Sequence, residues 1–192
     1  MTVEGFTESV GQVGRDARAD QPGVAVDDLQ RLWAPWRFGY VGGAEPVDGC
    51  PFCVLPARGE ERDRESLILH RAEHAYVIFN AYPYNPGHLM VVPYDHLSLL
   101  RELSRPARTE VWDLGCWSAE VLEDQVGAQG VNLGMNLGGA AGAGIADHLH
   151  LHVVPRWGGD TNFISVVGAA RVLPKALEEL YDELRPAFEG AG

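Results

Sequence analysis

The sequence predicts an α+β domain, an antiparallel five-stranded sheet with one long helix and a C-terminal helix packed on one side. Three observations predict it. Residues 67–70 and 75–80 are short apolar runs that read as a strand pair, and a third run begins at His88. Residues 108–126 place Val111, Leu114, Trp117, Val121 and Leu122 at helical spacing. Residues 148–154 alternate histidine with aliphatic side chains, the period of a strand. The resulting order, strand, strand, strand, helix, strand, strand, with short turns between elements, favours an antiparallel sheet over βαβ units.

The 192 residues suit one domain of about 150 residues plus extensions. Residues 1–28 carry scattered charge and glycine without apolar periodicity and are expected to form a disordered or loosely docked arm. Residues 29–49 hold an aromatic patch around Trp33 and Trp36, too apolar to leave in water, and are expected to dock on the main domain or on a second subunit. The domain itself is expected over 50–192. It opens with Cys50 and passes through a charged loop, residues 56–66, to the first strand pair. Two prolines precede Gly87; the strand His88–Val92 follows and stops at Pro93. After the helix come a strand over Val131–Leu137, a glycine-rich loop over 138–144 and the strand His148–Val154. A helix over Leu173–Phe188 closes the domain.

Composition narrows the function classes. Fifteen Lys+Arg against 27 Asp+Glu give a formal charge of −12, which argues against nucleic acid or an anionic membrane as partner. An anionic substrate must therefore be held locally. No run of about 18 apolar residues occurs and the N-terminus is polar and acidic, so a soluble, cytoplasmic protein is expected. The single lysine, Lys175, follows no phosphate-loop pattern, which excludes P-loop chemistry. Three cysteines do not make a disulfide scaffold, but Cys50 and Cys53 are spaced C-x-x-C.

The strongest chemical signal is His148, His150 and His152. On a strand these three project from one face, about 7 Å apart in sequence, while Leu149, Leu151 and Val153 face a core. Imidazoles so arrayed can ligate a metal, shuttle protons or attack phosphorus. A single ion bound by all three is disfavoured, because positions i and i+4 of a strand lie about 13 Å apart. The preceding loop offers Gly138, Gly139, Gly142 and Gly144, whose lack of bulk lets backbone N–H groups approach a phosphate. Arg156, just beyond the strand, is a further source of positive potential.

His-x-His-x-His with apolar residues between resembles the motif of the histidine triad family of nucleotide hydrolases and transferases. The resemblance extends over roughly residues 50–165 and takes in Asn85-Pro86-Gly87-His88-Leu89-Met90-Val91-Val92-Pro93. Segments 29–37, 82–94 and 157–163 are similar to the actinobacterial diadenosine tetraphosphate phosphorylase branch. The resemblance implies a histidine-triad fold and a catalytic set of His148, His150 and His152, with His150 attacking the α-phosphorus of a dinucleoside polyphosphate. Water or inorganic phosphate would then release the nucleotide. It implies Asn80 on the ribose, His88 and His152 on the phosphate, and Asn136 with positions 143 and 144 on the acceptor. Gly142, Ala143 and Gly144 complete the substrate-binding set. Ala143 and Gly144 stand where that branch has glycine and serine, and the missing hydroxyl leaves open, beside phosphorolysis, hydrolysis, another nucleotide substrate (an AMP ester, phosphoramidate or nucleotide sugar) or a non-catalytic nucleotide-binding module. The resemblance also implies a structural zinc on Cys50, Cys53, His96 and His148, and a homodimer, with the Trp33–Trp36 patch suited to a tetramer or a docked arm.

Overall fold

The computed structural model describes residues 48–160 and 175–189. The expected arm over 1–28 and nearly all of the segment 29–49 lie outside them. Five strands form one antiparallel sheet in the order β1-β2-β3-β5-β4, where β1 is Ile68–Arg71, β2 Ala75–Phe79, β3 Leu89–Pro93, β4 Gly130–Gly134 and β5 Leu151–Arg156. Two short helices, α1 (Pro51–Val54) and α2 (Asp63–Ser66), precede the sheet; α3 is Arg105–Val126 and α4 is Leu177–Glu189. This is the predicted α+β architecture. No described helix is long and apolar enough to cross a membrane.

The long helix begins three residues before the apolar spacing does. Ser104 caps it by accepting the Ala107 N–H at 3.2 Å, and Pro106 suits a first turn whose N–H groups lack helical partners. It ends at Gly127, in the left-handed region at φ 63°. Val111, Leu114, Val121 and Leu122 face the sheet. Gly115 suits a close approach, since a Cβ there would lie 2.6 Å from Leu151 Cδ2 and the leucine tip would have to move aside. The absent side chain lets α3 lie directly on β5, the strand that carries the triad. The closing helix starts at Leu177 rather than 173; residues 173 and 174 lie outside the described set.

Apolar residues on both faces of β2 and β3 are buried, which is why these strands read as continuous apolar runs. One face packs Val77, Phe79, Leu89 and Val91 against α3 and α4. The other packs Tyr76, Ile78, Met90 and Val92 around Phe52 of α1. Tyr76 donates its hydroxyl to the Phe52 carbonyl at 2.7 Å and so fastens α1 to this second face.

The last strand differs from expectation in a way that shapes the site. The β3–β5 ladder pairs Leu89 with Val153, Met90 with His152 and Val91 with Leu151. In this register residue 149 faces Pro93, which has no N–H to give, so the ladder stops. Leu149 N–H donates instead to Leu97 O at 2.7 Å. The strand therefore runs 151–156 rather than 148–154, and His148 and His150 lie just ahead of it. β4 is likewise shorter than expected, ending at Gly134.

Candidate active site

The triad is supported from below by His88. Gly87, at φ +79°, and the His88 N–H donated to Asn85 O at 3.1 Å turn the chain into β3. Asn85 is buried and donates Nδ2 to Pro155 O at 2.8 Å, which ties this turn to the end of β5. His88, 0% exposed, accepts the Tyr84 N–H on Nδ1 at 3.0 Å, with Asn80 Nδ2 at 3.3 Å from the same atom. An accepting Nδ1 puts the proton of a neutral ring on Nε2. That Nε2–H donates to His152 Nδ1 at 3.0 Å, so the His152 proton sits on its own Nε2. This Nε2 is buried and has no hydrogen-bond partner among the described residues.

His150 holds the complementary tautomer. Its Nδ1–H donates to the His148 carbonyl at 2.9 Å, leaving a lone pair on Nε2. The His150 and His152 rings lie 4.8 Å apart between centroids, and Phe52 packs 5.0 Å from His150. Burial pushes the His150 pKa down, partly offset by the bond to the His148 carbonyl. Burial and then the neighbouring His150 lower His152 to about 4. Burial, His152 and His150 lower His88 to about 3. All three imidazoles are neutral at pH 7, one offering a lone pair and another an N–H, which suits attack on an electrophile with hydrogen bonding to its oxygens.

A cavity of about 680 Å³ opens beside these rings. It collects Asn80, Asn136, Gly144, His150 and His152 of the expected residues. Gly142 and Ala143 belong to the same loop but not to its lining. His88, expected to touch substrate, is sealed beneath His152 and lies outside this lining. His148, expected within the catalytic set, is 1% exposed and turned away into another cluster. Arg156, expected to add positive potential at the triad, forks onto Asp160 at 2.6 and 2.8 Å and lies outside this lining. The cavity's wall includes Phe52, Leu55, Ile78 and Met90, an apolar bed, together with Arg58 and Arg62. Sequence reasoning passed over those two arginines within a charged loop. Their signal was the placement of two guanidiniums five and nine residues after Cys53 of the C-x-x-C knuckle.

Cys50, Cys53, His96 and His148 bring their ligand atoms within 4.8 Å of one another. Cys50 Sγ lies 3.4 Å from His148 Nδ1, Cys53 Sγ 3.3 Å from His96 Nδ1, and the two Nδ1 atoms 3.2 Å apart. His148 donates Nε2–H to Pro93 O at 2.9 Å, which fixes its lone pair on the Nδ1 that faces the group. Two thiols and two imidazole lone pairs converging on one point make a tetrahedral donor set for a borderline-soft cation. The residue that stops the β3–β5 ladder thus also orients one donor of this set.

Comparison with known proteins follows this geometry. Residues 61–159 match the family model of the HIT domain. The chain is 41% identical over 161 residues to AP-4-A phosphorylase of Mycobacterium tuberculosis, covering 80% of this chain and 81% of that protein. It is 26% identical to the bis(5'-adenosyl)-triphosphatase of Dictyostelium discoideum, covering 66% and 88%. Among solved structures it resembles a Zn-bound histidine triad family protein from Mycobacterium smegmatis at 27% identity and TM-score 0.59, covering 73% of this chain and 94% of that one.

Proposed function

The chain belongs to the histidine triad family, and from that premise we propose that it transfers a nucleotidyl group from a dinucleoside polyphosphate through a covalent intermediate on His150. The observation that carries the reading is the pair of complementary tautomers. His150 presents an Nε2 lone pair held by the His148 carbonyl, and His152 presents an Nε2–H set by His88. In the reaction His150 Nε2 bonds to the α-phosphorus, the bridging P–O bond breaks, and its oxygen leaves with the electron pair. His152 Nε2–H hydrogen-bonds the phosphoryl oxygens as charge builds on them. An acceptor oxygen then attacks the same phosphorus, its proton is lost, and the P–N electron pair returns to Nε2. Asn80 serves the ribose, and the bed of Phe52, Leu55, Ile78 and Met90 takes the base.

Zinc is the cation we assign to Cys50, Cys53, His96 and His148, in line with the donor set and the Zn-bound relative. When bound it would pin the segment entering β5 and supply no chemistry to the reacting phosphorus. We place the enzyme in the cytoplasm as a homodimer, consistent with the edge position of β4 and the exposure of Trp112 on α3.

Two acceptors are supported by different observations. Similarity to AP-4-A phosphorylase favours inorganic phosphate, whereas Ala143 and Gly144 offer no side-chain donor to it and favour water. Turnover of diadenosine tetraphosphate with and without inorganic phosphate decides between them. ADP and ATP formed only with phosphate indicate phosphorolysis; AMP and ATP regardless of phosphate indicate hydrolysis. His150→Ala is expected to lower either rate by about 10³-fold or more. Undiminished turnover by that variant would sink the covalent mechanism.

A further inference from the structure

A second cavity, of about 500 Å³, meets the first at Tyr84, Asn136 and His152, which line both. His150 lines the first and not the second. The second is walled by β4 from Asn132 to Gly134 and by His152, Val154 and Arg156 of β5. It therefore begins where the reacting phosphorus would sit and extends away from the nucleophile.

Its polar equipment is built rather than incidental. Arg156 is fixed by its two bonds to Asp160, and Asp160 accepts from Asn85 Nδ2 at 2.9 Å, which joins this group to the turn before His88. Arg156 Nη1 also donates to Asn132 Oδ1 at 3.0 Å. With Oδ1 so engaged, the part of Asn132 left for a ligand is its NH₂, a donor. The Arg156 side chain is 41% exposed, and guanidinium N–H groups beyond those named are donors as well. A wall that offers N–H donors, among them a guanidinium whose charge Asp160 partly offsets, in a chain of charge −12, suits an anion met by hydrogen bonds.

Displacement at phosphorus places the leaving oxygen opposite the attacking atom. With His150 in one cavity and His152 shared, we propose that the second cavity is the leaving-group subsite, holding the departing nucleoside polyphosphate through Arg156 and the Asn132 amide. The inference rests on the nucleotidyl-transfer reading above. In the step it serves, the His150 Nε2–P bond forms, the bridging P–O bond breaks, and the oxygen carries the electron pair away on a nucleoside triphosphate when the substrate is a tetraphosphate. The first cavity keeps the nucleotidyl group throughout.

The test compares two substrates that share the transferred group: diadenosine tetraphosphate, and the p-nitrophenyl ester of AMP, whose leaving group carries no phosphate. Asn132→Glu sets a carboxylate at an exposed strand position, where it would meet the leaving phosphates and engage Arg156; Asn132→Gln keeps the amide. The ratio of kcat/KM for tetraphosphate over ester is expected to fall about tenfold or more in Asn132→Glu, mainly through KM, and to stay within about threefold of wild type in Asn132→Gln. An unchanged ratio in Asn132→Glu, or equal losses on both substrates, would overturn the inference while leaving nucleotidyl transfer standing. Wild-type turnover of the ester but not the tetraphosphate would overturn the inference and the dinucleoside substrate together. Turnover of neither would overturn the functional reading itself, and the subsite with it.

Discussion

His148 and His150 are the same residue type two positions apart, yet they present opposite ring nitrogens to their surroundings. Both precede the paired part of β5, and both are nearly sealed from solvent at 1% and 6% exposure. What separates them is which ring nitrogen meets a carbonyl. His148 gives its Nε2–H to Pro93 and turns Nδ1 to the cysteines, whereas His150 gives its Nδ1–H to His148 and turns Nε2 to the cavity. A backbone acceptor on one side of each imidazole thus decides whether the other side faces the cysteines, as the proposed metal ligand would, or the cavity, as the proposed nucleophile would.

Exchange of the two defects breaks that comparison with the largest effects. Loss of metal is expected to undo the His148 end: chelation, or His148→Ala, removes one bound zinc per chain and lowers thermal stability by several kcal/mol, because the cation that would join the loop of Cys50 and Cys53 to His96 and buried His148 is gone. His150→Ala should retain full metal content and a Tm within a few degrees of wild type while losing turnover. Elemental analysis and calorimetry of both variants check this. A His150→Ala protein that loses zinc, or a His148→Ala protein that keeps it, would show that the two ends are one unit.

His88→Gln sharpens the contrast at intermediate size. Gln replaces the ring, whose Nδ1 contacts leave only an Nε2–H to face His152, with a flexible amide that can turn either its NH₂ or its oxygen to His152 Nδ1; the His152 tautomer is then no longer fixed, and kcat is expected to fall about 10–100-fold with KM little changed. The same pair gives acid sensitivity a definite sign. His88 and His152 titrate near 3 and 4 when folded, below the ordinary histidine value of 6.5. Between about pH 6.5 and 4 the unfolded chain binds protons that the folded chain refuses, so stability falls as pH falls, by up to about 1.4 kcal/mol per pH unit for each group. The loss levels off once the folded rings protonate. Urea unfolding across that range should show a steeper fall for wild type than for His88→Gln; equal slopes would mean His88 is not held neutral.

Much of this was legible in the sequence because it rests on period and local chemistry. Helical spacing from Val111 to Leu122, the apolar runs of β1 to β3 and the alternation after His148 are short-range patterns, and the sheet follows from their order. Less legible were features made by partners distant in the chain. Pro93 is visible as a strand stop, but its effect on residue 149 depends on the β3–β5 register. His88 stands beside a turn in sequence and beside His152 only after folding, 64 residues on. Arg58 and Arg62 sit in a charged stretch that looks like any solvated loop until short helices fold it onto the cavity. Arg156 looked available to a phosphate at the triad, and its neighbour Asp160 reassigns it.

The smallest expected effect concerns two buried polar atoms in the lining of the first cavity. His152 Nε2 and Ser66 Oγ both belong to residues of its lining, and both are buried without a partner among the described residues. The two orphans differ in consequence. On the proposed mechanism an N–H beside His150 has a phosphoryl oxygen to meet, which would offset its desolvation when substrate arrives. Ser66 closes α2, and Leu67 beyond it adopts φ 59°, a left-handed conformation unusual for leucine. A hydroxyl shut away there costs about 1 kcal/mol or more, and Ser66→Ala removes the cost without opening a cavity of consequence. The variant is expected to raise Tm by about 2–4 °C. If Tm rises and the KM for diadenosine tetraphosphate rises with it, Ser66 is the second polar atom held in reserve for substrate; if Tm rises alone, His152 is the one orphan of this lining that the reaction uses. A fall in Tm would mean that the hydroxyl is paired in the folded protein, and the contrast between the two atoms would be lost.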